Sequence, residues 1–70
     1  MNTTITPVVT PQQQMALAFR GYTLPEGTVV KPGEVHVWAL NLERPTEWVE
    51  AIGRDVNVAV QNLVREVARP

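Results

Sequence analysis

Apolar positions recur at two different periods along this chain. From Glu47 to Val67, the residues Val49, Ile52, Val56, Ala59, Val60, Leu63 and Val67 recur at three- and four-residue steps. At about 100° per residue they fall on one face, which predicts a long amphipathic C-terminal helix. Gly53 sits inside this stripe without shifting its phase, so the helix is expected to run through it, with Gly53 as a close-approach point against a sheet. The alternative is a break at Gly53, with the β-branched and partly alternating Val56–Val60 as a strand. Glu43 to Thr46 ends the preceding element. It leaves Pro45 or Thr46 in the helix's first turn, with Glu47 and Glu50 favourably placed toward the helix dipole.

Glu34–Leu42 follows the second period. Val35, Val37 and Ala39 alternate with His36, Trp38, Leu40 and Leu42, which predicts a strand that is apolar on both faces. A chain of 70 residues has little material with which to cover two faces of a sheet. The C-terminal helix can cover one. The second is expected to be an interface, unless the N-terminal helix or arm covers part of it. Thr28–Val30, β-branched throughout, predicts a further strand. Between these strands, Lys31-Pro32-Gly33-Glu34 has the type II order of Pro before Gly. The twist of that turn suits a tight hairpin poorly, so a wider connection or a bulge is expected. Tyr22–Leu24 reads as a short extended piece, and Pro25-Glu26-Gly27 as a type I turn.

Nearer the N-terminus, Thr10-Pro11 has the residues of a helix start, an N-cap threonine followed by proline at the first position. A short helix over Gln12–Phe19 is expected, closed by Gly21 and anchored by Met15 and Phe19. Met1 to Thr10 is polar and Thr-rich, with Ile5, Val8 and Val9 as its large apolar groups after Met1. It reads either as a loose arm or as an extended segment added to a sheet edge, its own or a neighbour's. The pattern as a whole predicts an α+β chain. Residues 1–10 form an N-terminal extended arm. Residues 11–70 form one small domain with a short N-terminal helix, an antiparallel sheet of two to three strands, and a long C-terminal helix packed on the sheet.

Composition narrows the supports available to so small a core. There are no cysteines and one histidine, so disulfides, thiolate metal sites and a His-rich site are excluded. Self-association or docking on a larger partner remains, beside a marginally stable monomer. The net charge of -1, from 6 basic and 7 acidic residues, argues against nonspecific nucleic-acid binding. The hydrophobic share of 44% is that of a globular chain. No apolar run reaches membrane-span length, and the first residues lack a basic start and apolar block. The expected location is the cytoplasm or a soluble assembly such as a virion, with no membrane contact.

Catalytic chemistry finds few residues to work with. Serine and cysteine are both absent, leaving Thr, Tyr22 and Lys31 as nucleophiles. His36 and Glu34 share a strand face, two residues apart, without forming a triad. Asp55 is the only aspartate, which excludes an EF-hand loop, and the glycines form no phosphate-binding loop. No cofactor, metal or small-molecule substrate is expected, and the chain is expected not to be an enzyme. Pro32–Trp38 resembles the opening strand of phosphopantetheinyl transferases, on this strand alone. That family's acidic magnesium motif and its later Trp/Lys/Glu motif have no counterpart here, so the resemblance implies a strand and no activity. Leu24–Thr28 is similar to a sortase signal with its last two residues interchanged, and lacks the anchoring tail.

What remains is protein binding. Trp38 and Trp48 are of the residue type that anchors interfaces, although both can equally be core. The expected partner-binding residues are Ile5, Val8, Val9, His36, Trp38, Leu40, Trp48 and Val58. The expected function is a non-catalytic interaction module, a small subunit of a homo-oligomer or larger assembly such as a virion decoration protein. The alternatives are an inhibitor or regulator of a host enzyme, and a nucleic-acid-binding module using Arg54, Arg65 and Arg69.

Overall fold

A computed structural model describes residues 3–44 and 46–69. Six elements follow in chain order: β1 (Thr3–Ile5), α1 (Pro11–Phe19), β2 (Glu26–Lys31), β3 (Glu34–Leu40), β4 (Trp48–Gly53) and α2 (Val56–Val67). The four strands form one antiparallel sheet in the order β1-β2-β3-β4. The α+β class therefore stands, but with four strands where two to three were expected. Met1 and Asn2 of the arm, the anticipated helix start at Pro45, and the terminal Pro70 lie outside the described residues.

The largest correction concerns the C-terminal third. The helix does not begin near Glu47; Trp48–Gly53 is the sheet's fourth strand, and α2 starts only at Val56. Val49 and Ile52 fit a helical stripe, but the same six residues also alternate. Val49, Ala51 and Gly53 turn toward the core, while Trp48, Glu50 and Ile52 face away. Pairing with β3 selects the second period, because it satisfies the backbone of both strands along six partner positions. Asp55 then starts the helix: its extended backbone and Oδ1, which accepts the Val58 N–H at 2.9 Å, make it the N-cap. The alternative of a strand over Val56–Val60 is also overturned, since these residues form the first turns of α2. Asp55→Ala should cost about 1 kcal/mol of stability, read by urea unfolding.

Gly53 is a close-approach point, though at a strand end. A Cβ built there falls 2.7 Å from Ala59 Cα and 2.8 Å from the Val58 carbonyl carbon. The chain turns from β4 into α2 so tightly that the helix backbone rests on the glycine.

At the other end of the chain, Thr10 caps α1 as expected. Its hydroxyl accepts the Gln13 N–H, and Gln13 Oε1 accepts the Thr10 N–H in return, at 3.1 and 2.9 Å. Gly21, at φ 80°, closes the helix: Gly21 N–H donates to Ala18 and Tyr22 N–H to Leu17. The anchors differ from expectation. Met15 and Phe19 are 70% and 88% exposed, whereas Leu17 is 1% exposed and joins the core. A helix of nine residues presents little surface to the core, and here Leu17 enters it, with Gln13 and Ala16 half-buried beside the exposed Met15 and Phe19.

β2 begins at Glu26, so the turn expected at Pro25–Gly27 is displaced by strand pairing to β3. The β2–β3 connection has the anticipated remedy for its type II turn. Gly33 has φ 82°, and the register shifts by a bulge between Val29 and Lys31. The extended reading of the arm is realised as β1, paired antiparallel to β2.

The core lies on one side of the sheet. Val35, Val37 and Ala39 of β3 and Ala51 of β4 meet Ala59, Val60, Leu63 and Val67 of α2, with Leu17 of α1 beside them. α2 lies across β3 and β4. Neither helix lies across the other side.

Candidate functional site

The free sheet face carries the chain's unassigned chemistry. Antiparallel partners project to the same side, so the register fixes the rows of this face. Glu26, Trp38 and Glu50 form one row; Leu40 and Trp48 the next; Thr28, His36 and Ile52 lie on the other side of the first. Trp38 is therefore bracketed by a carboxylate on each neighbouring strand. Trp48, diagonal to it, stands on the edge strand. Trp38, Leu40, Trp48 and Glu50 line an open groove of about 370 Å³. Trp48, Ile52 and Leu40 are 62%, 50% and 40% exposed, a density of apolar exposure that marks interaction surfaces.

A charged cluster adjoins this row. His36 Nε2 lies 3.0 Å from Glu34 Oε1, Lys31 Nζ lies 3.6 Å from Glu34 Oε2, and His36 Nδ1 lies 4.0 Å from Glu50 Oε1. The hydrogen bond to His36 holds the Glu34 carboxyl below its ordinary value, against desolvation, with the Lys31 charge adding to the effect. A carboxylate with a depressed folded-state pKa contributes stability above its unfolded pKa, and that contribution is lost as pH falls through the folded value. In an NMR titration, Glu34 should have its midpoint below that of a glutamate in an unstructured peptide. His36→Ala should move it upward.

The register places Thr28 opposite His36, yet no hydrogen bond joins them among the described residues. The His36–Glu34 pair thus orients an imidazole on an open surface. Among the described residues, no group of three His, Cys, Asp or Glu side chains is placed to hold a metal ion. Nor is any helix there long and apolar enough to cross a membrane.

Of the residues expected to bind a partner, His36, Trp38, Leu40 and Trp48 come together on this face. The others do not. Ile5 and Val9 are half-buried against the core, Val8 is exposed in the segment before α1, and Val58 is half-buried in the first turn of α2. The arginines Arg54 and Arg69 lie far apart along the chain, each beside an acid: Arg54 Nε is 3.9 Å from Asp55, and Arg69 3.7 Å from Glu66. Glu26, Glu50 and Ile52 belong to the face but were not anticipated. The signal that could have found Glu50 and Ile52 is the alternation from Trp48 to Gly53.

Fold and site together define a one-sided layered α+β domain: helices on one face of an antiparallel sheet, an acid-flanked tryptophan groove on the other. No protein-family model matches the chain, and no curated protein or solved structure matches it either.

Proposed function

We propose that the protein is a non-catalytic protein–protein interaction module that buries its free sheet face on a protein partner, as a small subunit of an assembly. One observation carries this reading: two tryptophans, a leucine and an isoleucine stand on a face to which none of the described elements is applied. Tryptophan is the side chain most enriched among interface hot spots, and here the pair sits in a groove and not singly. An inhibitor or regulator that binds a host enzyme would use the same face. The nucleic-acid alternative is less well supported, since the net charge is -1 and two of its three arginines, Arg54 and Arg69, each lie beside an acid neighbour.

The test compares three baits in the protein's native source: the unaltered chain, Trp48→Ser, and the Arg54, Arg65 and Arg69 triple glutamine variant. A partner held by the unaltered chain should be lost by Trp48→Ser and kept by the triple variant, with all three baits folded by circular dichroism. Retention by Trp48→Ser, or loss in the triple variant together with steep salt dependence, overturns the reading. Deleting the N-terminal arm is not a clean test, because Thr3–Ile5 is part of the sheet.

A further inference from the structure

We infer that the free face receives a basic segment of its protein partner, with an arginine of that segment lying over Trp38 and Trp48 against the carboxylates of Glu50 and Glu26. The inference rests on the interaction reading above and adds the chemistry of the occupant.

Charge complementarity selects it. The central row places Glu26 and Glu50 on either side of Trp38. Among the described residues, no Lys or Arg lies within ion-pair distance of either carboxylate; Glu50 has only His36 Nδ1, at 4.0 Å. The third acid of this region, Glu34, differs in that Lys31 and His36 already engage it. The face therefore offers two uncompensated carboxylates beside two indole rings. An arginine satisfies both at once: its planar guanidinium stacks on an aromatic face while its N–H groups fork to a carboxylate. Leu40 and Ile52 on either side suit apolar residues that flank the arginine in the segment.

The same charges count against a second copy of this chain. A two-fold contact is self-complementary, so it would bring both copies' Glu26 and Glu50 into one interface with no added cation.

The test uses the full chain and its own fluorescence, since both tryptophans lie on the face. Two capped pentapeptides are titrated at low and moderate salt: one alternates leucine with arginine, and the other has neutral, near-isosteric citrulline in place of arginine. The arginine peptide should shift the emission saturably and bind about fivefold more tightly than the citrulline peptide, with affinity falling as salt rises. Glu50→Gln should reduce that preference below about twofold while leaving the circular dichroism spectrum unchanged. Equal binding of both peptides overturns the cationic occupant but leaves the interaction reading standing. Absence of any shift at millimolar arginine peptide overturns the cationic occupant as well. So does a dimer in sedimentation equilibrium that Trp48→Ser dissociates, which assigns the face to a second copy.

Discussion

Gly53→Ala should be among the most damaging single-atom additions possible in this chain, lowering stability by roughly 3 kcal/mol. The added Cβ would overlap the Ala59 backbone nitrogen and lie 2.7 Å from Ala59 Cα. These are main-chain atoms in the first turn of α2, so no side-chain rotation relieves the contact. The helix must lift from β4, loosening Ala59, Val60 and Leu63, which are buried almost completely. For a domain of this size each kcal/mol moves the melting temperature by about 4–8 °C, giving a fall of roughly 12–24 °C. Thermal unfolding followed by circular dichroism reads it directly. A loss under about 1 kcal/mol would contradict the tight passage from strand to helix.

Leu63→Ala should cost about as much by the opposite means. Leu63 is one of the largest fully buried side chains, on the α2 face that covers the sheet. Removing it forfeits its transfer free energy and leaves a cavity that a core of nine buried apolar residues among those described cannot readily close. A loss of about 3 kcal/mol is between roughly a quarter and nearly all of the stability expected of a 70-residue domain, at roughly 0.05–0.15 kcal/mol per residue. The urea midpoint should fall sharply. Trp48→Ser, which removes a larger but exposed side chain, should leave the midpoint nearly in place. That contrast separates core from surface more clearly than either value alone.

The parts of the fold legible in the sequence are those governed by local chemistry. Thr10 caps a helix with its own side chain, Gly21 supplies a positive φ, and Val35–Ala39 alternates without ambiguity. Trp48–Gly53 was misread for a definable reason. Val49, Ile52 and Gly53 fit a helical step while Val49, Ala51 and Gly53 fit alternation, and in a six-residue window the two patterns share Val49 and Gly53. Register with β3 decides between them, and that contact lies beyond the window. Asp55 was the overlooked local signal: an aspartate three residues before Val58, immediately ahead of the stripe, is a helix start in its own right. Met15 and Phe19 failed as anchors because spacing alone cannot say which of two rows on a short helix meets the core.

The second apolar face was legible from His36, Trp38 and Leu40, since alternation exposed it without any tertiary information. Its completion by Trp48, Glu50 and Ile52 was not, because those residues had been assigned to a helix. The consequence is a change in the chemistry of the face. One tryptophan strand beneath a long helix became a two-tryptophan groove with a carboxylate on each side of Trp38.

The most direct measurement of whether this face is available to a partner is acrylamide quenching of tryptophan emission in the isolated chain. Emission should be red-shifted and quenched nearly as fast as an exposed indole, with Trp48 supplying most of the accessible signal and Trp38 the remainder. Blue-shifted emission that resists acrylamide in a monomeric chain would mean that the protein covers this face itself, and would contradict the account.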